Sequence, residues 1–253
     1  MNKESYIGVF DSGVGGVSVL KELMALMPGE NYYYFGDSAN APYGAKSTAQ
    51  VKERSIEVAD YLWSLGAKCL VVACNTATAA AIEDLREKYP DRIIIGIEPA
   101  LKLAADRHPG GCIGVMATEV TLREKKFAAL TARCRESCTV IPLPSPGIVE
   151  LVEADTIETE AGYALLNKEL GPYVGKLDAV VLGCTHYPFA AKVIRDILGE
   201  HVDILQGGPG TARETQRRLA EAGLLNDGPG SLTVENTAGE TRLMELTVAL
   251  LER

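Results

Sequence analysis

Apolar residues along the chain fall into short, nearly unbroken runs, and between those runs they recur every three to four positions. The runs Tyr6–Phe10, Tyr32–Phe35, Cys69–Ala73, Arg92–Ile97, Cys112–Ala117, Thr139–Leu143, Ala179–Leu182 and Val202–Leu205 read as strands. The stretches between them, such as SVLKELMALM (Ser18–Met27) and SIEVADYLWSL (Ser55–Leu65), carry the helical period. The second of these follows Ser47-Thr48-Ala49-Gln50, the spacing of a capping box. Strands apolar on both faces and separated by helices predict parallel strands covered on both sides, hence βαβ units and an α/β fold.

Two pairs of segments repeat. IGVFDS (Ile7–Ser12) matches IGVMAT (Ile113–Thr118), each a strand running into a small polar turn. VVACNTATAA (Val71–Ala80) matches VVLGCTHYPFAA (Val180–Ala191) when Cys74 is laid on Cys184. Both motifs return after roughly a hundred residues, which points to two related α/β halves and not to a solenoid. The second half is expected to begin at Glu98-Pro99, giving one domain of residues 1–97 plus 207–253 and another of 98–206. The segment after Gln206, GGPGTARETQRRLAEAGLL, has no counterpart in the second half and is expected to return to the first.

A parallel α/β sheet binds its ligand at the carboxyl ends of its strands. The polar residues Asp11-Ser12, Asp37-Ser38, Cys74-Asn75-Thr76, Thr118 and Cys184-Thr185-His186 all follow predicted strands. If the two halves face each other, these ends line one cleft between the domains, and Cys74 and Cys184 approach a ligand from opposite sides.

Composition narrows the setting. The chain has 253 residues, is 47% hydrophobic and carries a formal charge of -9. That suits one large or two medium domains, and the acidity argues against non-specific binding to nucleic acid or to an anionic membrane. MNKESYIGVF lacks the apolar stretch of a secretory signal, and no run is long enough to span a bilayer. The six cysteines are therefore expected to stay reduced in a cytoplasmic enzyme.

A single cysteine at a strand end ordinarily behaves as a small buried hydrophobe, and only the repeat asks for more. Four chemistries were weighed. The glycine-rich turn DSGVGG is a weak phosphate signal, because Asp11 would repel a phosphate; an acid beside helix-start N–H groups suits a ligand with both an ammonium and carboxylates. Cys74, Cys184 and His186 are ligands zinc accepts, but the spacing is not a paired one, no C-x-x-C occurs, and no metal is expected. A Cys184–His186 acyl-transfer pair leaves Cys74 without a purpose. Proton transfer uses both: inverting a chiral carbon needs an acid/base group on each face, and two thiols fill that need, with Asp11 and His186 assisting. Both cysteines precede expected helix starts, whose N–H groups favour the thiolate. No lysine-anchored pyridoxal site is recognisable, so a cofactor-free route is expected.

FDSGVGG (Phe10–Gly16), YFGDSANAPYG (Tyr34–Gly44), VVACNTATA (Val71–Ala79), GVMATEVT (Gly114–Thr121) and GCTHYP (Gly183–Pro188) occur in this order across nearly the whole chain. In them the sequence resembles the glutamate racemases, within the cofactor-independent aspartate/glutamate racemase superfamily. ACNTA together with GCTHYP is the specific part, since aspartate racemases typically lack the histidine. The resemblance implies two pseudo-symmetric flavodoxin-like domains with mainly parallel sheets, and interconversion of L- and D-glutamate for peptidoglycan. It implies that Cys74 exchanges a proton on the D side and Cys184 on the L side, helped by Asp11 and His186. Ser12, Tyr43, Gly44, Asn75, Thr76, Thr118, Thr121 and Thr185, with Asp11 and His186, would hold the substrate's ammonium and carboxylates.

Some positions depart from the family. Asn40 stands where the family usually has Arg before PYG, so a salt bridge of that loop is expected to be absent. Leu205-Gln206-Gly207-Gly208 replaces an acidic-Ser-Gly turn, and SCTVIPLPSPGIVELVEAD is only loosely similar. A racemase of aspartate or another acidic amino acid, or a binding-only member, remains an alternative. A homodimer stays open.

Overall fold

Every expected strand forms within a residue of its expected ends in the computed structural model, which describes residues 2–123, 125–134 and 137–253, the side chains at 120, 125 and 126 excepted. The strands are β1 (Ile7–Asp11), β2 (Asn31–Gly36), β3 (Cys69–Val72), β4 (Ile93–Gly96), β5 (Cys112–Ala117), β6 (Thr139–Pro144), β7 (Ala179–Leu182), β8 (Asp203–Gln206) and β9 (Ser231–Asn236). The helices are α1 (Val17–Leu26), α2 (Thr48–Ser64), α3 (Asn75–Lys88), α4 (Leu101–Arg107), α5 (Glu119–Arg123), α6 (Lys125–Cys134), α7 (Ile148–Glu153), α8 (Glu160–Leu170), α9 (Ala191–Leu198), α10 (Gly208–Glu221) and α11 (Thr241–Glu252).

The chain divides into two compact units, one reaching to Glu98 and resuming at Gly208–Arg253, the other Pro99–Gly207. The first unit holds a five-stranded sheet in the order β4-β3-β1-β2-β9, every neighbouring pair parallel. The second holds a four-stranded parallel sheet in the order β6-β5-β7-β8. Laying β1 on β5 and β3 on β7 places β2 on β6 and β4 on β8, so the two orders coincide and β9 is the addition. The repeated sequence motifs are thus a repeated topology. β1 and β7 are buried along their whole length, as strands covered on both faces must be.

β9 has no apolar run to announce it. It is an edge strand whose residues are all partly or fully exposed, and it pairs with β2 from Asn31↔Ser231 to Gly36↔Asn236. With it the chain's last segment returns to the first unit, where α10 also packs on α1. The return is tied down at the amino ends of the strands by a fully buried ion pair, Lys68–Glu30. Lys68 Nζ also donates to Leu224 O at 2.9 Å, and Asn226 N–H to Glu30 Oε1 at 2.9 Å, so neither buried charge is left unsatisfied. The capping box forms as its spacing predicts: Gln50 N–H donates to Ser47 Oγ at 3.3 Å and Ser47 N–H to Gln50 Oε1 at 3.0 Å.

Candidate active site

In the first unit the strand ends converge on Cys74. Ala73 N–H donates to Phe10 O at 2.8 Å, one last rung beyond β3, and Cys74 follows it as the N-cap of α3. Its Sγ accepts from Ala77 N–H at 3.4 Å and lies 3.7 Å from Ser12 Oγ. A sulfur at the positive end of a 14-residue helix is stabilised as thiolate. Asp11, at the end of β1, is fully buried and accepts from Gly13 N–H at 3.1 Å. Its side chain lies against Gly16, where a Cβ would fall 2.5 Å from the Asp11 Cβ; only glycine allows this approach.

Asn75 and Thr76 fill the first turn of α3 and are buried. Asn75 Oδ1 is buried without a hydrogen-bond partner. Such an orphaned acceptor is costly, about 1–3 kcal/mol, unless a ligand supplies the donor. A ligand ammonium fits.

The loop after β2 brings in Tyr43 and Gly44. Tyr43 is buried among Phe10, Val51, Cys74 and Ala77, its ring 6.1 Å from that of Phe10. Its hydroxyl donates to Asp37 Oδ2 at 2.7 Å. The one hydroxyl hydrogen is thereby committed, so any donation from Tyr43 to a ligand carboxylate must come from its backbone N–H. Burial and the Asp37 carboxylate both raise the Tyr43 pKa and keep the phenol protonated. The salt bridge expected to be missing from this loop is present. Arg54 of α2 supplies it, with Nε 2.8 Å from Asp37 Oδ2 and Nη2 2.8 Å from Oδ1. The guanidinium reaches the loop from the neighbouring helix, which a reading of the loop alone does not reveal.

The second unit builds the same backbone and different surroundings. Gly183 N–H donates to Met116 O at 2.7 Å, the counterpart of the Ala73–Phe10 rung, and Cys184 follows. Here the expected helix start does not occur. A turn leads into a 3-10 segment, Tyr187–Ala190, and α9 begins only at Ala191. Pro188 is the cause, since the residue before a proline is pushed out of helical conformation. Cys184 is accordingly half-buried where Cys74 is buried. In place of a helix end it has His186, whose Nδ1 lies 3.9 Å from Cys184 Sγ. His186 Nε2 lies 3.0 Å from Glu153 Oε1, at the last residue of α7. A carboxylate only accepts, so Nε2 carries the ring hydrogen and Nδ1 presents its lone pair to the thiol. Thr185 and His186 are both buried. Thr118 Oγ1 accepts from Thr121 N–H at 3.3 Å and lies 3.0 Å from Thr121 Oγ1, joining the two expected ligand hydroxyls.

The structure therefore groups Asp11, Ser12, Tyr43, Gly44, Cys74, Asn75 and Thr76 at the strand ends of one unit, and Thr118, Thr121, Cys184, Thr185 and His186 at those of the other. Sequence reasoning missed Glu153, which lies 33 residues from His186 with no local pattern linking them. It also missed the grip of Arg54 on Asp37. The other four cysteines are poor thiolates: burial pushes Cys69 up to about 12 and also raises Cys112, Cys134 and Cys138. Among the described residues no cluster of three His, Cys, Asp or Glu side chains has metal-binding geometry, and no helix is long and apolar enough to cross a membrane.

Against known proteins, residues 7–215 match the Asp/Glu/hydantoin racemase family. A glutamate racemase of Clostridium perfringens is 47% identical over 99% of this chain and 97% of its own length. Among solved structures, a glutamate racemase isoform from Bacillus anthracis superposes with a TM-score of 0.90 at 31% identity, covering 100% of this chain and 96% of that one. Escherichia coli glutamate racemase, in complex with L-glutamate and the activator UDP-MurNAc-ala, superposes at 0.87 with 32% identity, covering 99% and 95%.

Proposed function

The chain belongs to the Asp/Glu/hydantoin racemase family, and on that premise we propose that it interconverts L- and D-glutamate by passing protons through two cysteines. The observation that carries this reading is the equivalence of Cys74 and Cys184, each one residue past the same ladder rung in sheets of the same strand order. A binding protein has no use for that duplication; a two-base proton transfer requires it. The substrate is taken from the glutamate racemases that the chain matches over nearly its full length.

From D-glutamate, the Cys74 thiolate removes the α-proton, and the electron pair left on the α-carbon spreads into the neighbouring carboxylate. The Cys184 thiol returns a proton to the opposite face, giving L-glutamate. The enzyme ends with the proton on Cys74, and a turnover in the reverse direction or exchange with water resets it. His186 Nδ1 holds the Cys184 proton on its way in or out, and Asp11 serves the Cys74 side. The α3 N-terminus stabilises the Cys74 thiolate. Asn75 Oδ1, with Asp11, accepts from the substrate ammonium, while Ser12, Thr76, Thr118, Thr121, Thr185 and the N–H groups of Tyr43 and Gly44 hold the carboxylates. Both acid/base groups come from the chain, so the route calls for no cofactor. D-Glutamate made this way would supply peptidoglycan in the cytoplasm, a role that suits a relative activated by a muramyl nucleotide.

The test follows circular dichroism from each pure enantiomer of glutamate, with aspartate in parallel, in water and in deuterated water. Both glutamate enantiomers should decay to the same racemic end point, with solvent deuterium at the α-carbon of the product. Faster turnover of aspartate overturns the substrate, and racemisation without solvent hydrogen in the product overturns the mechanism.

A further inference from the structure

Asp37 and Arg54 lie outside the residues assigned above to glutamate, yet they hold one of them in place. The Asp37 carboxylate is fully buried, and it is unusually well satisfied. Oδ2 accepts from Arg54 Nε at 2.8 Å and from the Tyr43 hydroxyl at 2.7 Å. Oδ1 accepts from Arg54 Nη2 at 2.8 Å, Asn40 Nδ2 at 3.1 Å and Thr237 Oγ1 at 3.1 Å. Three stretches of chain meet on this one group: helix α2, the 37–45 loop, and the return segment after β9. The return segment also latches the loop directly, through Ala39 N–H to Thr237 Oγ1 at 3.0 Å and Asn236 Nδ2 to Ser38 Oγ at 2.8 Å. Arg54 is itself held from the solvent side by Glu57 Oε2, 2.8 Å from Nη1.

A surface ion pair of this kind would contribute little. Here one partner is fully buried and the guanidinium forks onto both of its oxygens, the geometry only arginine provides. Removing the fork leaves a buried carboxylate with its strongest donors gone. Tyr43, which packs beside Cys74, hangs on that carboxylate by its only hydroxyl hydrogen.

We propose that Arg54 and Asp37 are positioning residues of the racemisation site: their forked ion pair sets the 37–45 loop and, through the Tyr43 hydroxyl, the wall beside Cys74. The proposal rests on the glutamate reading. A pH signature follows from the same contacts. Arg54 from α2 and Tyr43 from the loop are the titratable groups facing Asp37, while Asn40 and, from the return segment, Thr237 are neutral. Burial alone would raise the Asp37 carboxyl, but Arg54, Tyr43 and Asn40 outweigh it and hold it below the usual carboxylate range. The ionised network therefore persists above the ordinary carboxylate range and fails as pH falls through the depressed value. Without Arg54 that value rises, so failure comes at higher pH.

The experiment compares steady-state glutamate racemisation by wild type, R54Q, R54K, D37N and the double variant R54Q/N40R, with K52Q as control. Lys52 makes a solvent-exposed pair with Asp84 on the same helix and should leave the kinetics unchanged. R54Q and D37N should lower kcat/KM on the order of tenfold to a hundredfold, chiefly through KM, with the melting transition still cooperative. The acidic limb of R54Q should move to higher pH. R54K should recover only part of the loss, and N40R, placed where Asn40 already reaches Asp37, should restore much of it. Wild-type KM, kcat and acidic limb in R54Q or D37N overturn the proposal; if R54Q fails to fold, R54K carries the same test. Failure of the glutamate reading shows separately, as wild-type protein that racemises neither enantiomer. The loop claim is then read from amide hydrogen exchange, where faster exchange at residues 38–46 in R54Q supports it and unchanged exchange overturns it.

Discussion

Cys74 and Cys184 occupy the same place in two sheets of the same strand order, but what surrounds each sulfur is different. Cys74 is buried, caps a long helix and lies near a serine hydroxyl. Cys184 is half-buried, precedes a proline-broken turn, and faces an imidazole backed by a carboxylate. The repeated backbone decides where a thiol stands, and the local side chains decide how it is ionised. A helix end is a fixed partial charge that does not titrate, whereas an imidazole titrates nearest neutral pH of all side chains. The two sides of the reaction are therefore expected to be tuned by unlike means, with the pH sensitivity around neutrality carried by the Cys184 side.

The sharpest way to break this comparison is to remove one sulfur at a time. Cys74→Ala and Cys184→Ala should each lower racemisation by about a thousandfold or more, since nothing else reaches the lost face. A Haldane constraint applies: enantiomers have equal free energies in water, so kcat/KM must fall equally in both directions in every variant. The asymmetry has to be sought in exchange instead. Cys184→Ala should still wash α-deuterium out of D-glutamate alone, and Cys74→Ala out of L-glutamate alone, followed by mass spectrometry. Wash-out from both enantiomers in either variant would mean that the two thiols do not serve separate faces.

Glu153→Gln probes the difference between the two sides. The amide can donate to Nε2 and so move the ring hydrogen to Nδ1, which then meets Cys184 as a donor and no longer as an acceptor. Activity should drop on the order of a hundredfold, with the neutral region of the pH profile changing shape. An unchanged profile would remove Glu153 and His186 from proton handling.

Much of this was readable before any coordinates. The strands of both sheets were legible because burial on two faces leaves an apolar run, and the cysteine pair because the strand and its turn repeat together. β9 was not, because an edge strand exposed along its length carries no such run. The delayed helix after Cys184 was signalled by Pro188, yet the likeness to the Cys74 motif concealed it. Glu153 and Arg54 were invisible for another reason: each acts on a partner brought close only by the fold, His186 and Asp37 respectively. Tyr43 was placed correctly in the loop next to Cys74, but the direction of its hydroxyl, which excludes it as a carboxylate donor, has no trace in sequence.

The smallest contrast between the two turns lies one residue before each cysteine, where the first unit has Ala73 and the second Gly183. At Gly183 a Cβ would fall 2.8 Å from Met116 O and 2.9 Å from the Ala117 Cβ, and neither atom belongs to a flexible side chain that can move aside. Gly183→Ala must therefore push the β7 end away from β5, costing about 1–3 kcal/mol of stability. Because the displaced residue is the neighbour of Cys184, turnover should fall on the order of tenfold even in the folded fraction. Ala73→Gly makes no clash and only loosens the chain, about 1 kcal/mol, so its turnover should stay within about threefold of wild type. Thermal melts and kcat measured side by side separate the two effects. Equal losses in both variants would mean that the second turn is no more tightly constrained than the first, and that the glycine there serves the chain and not the position of the thiol.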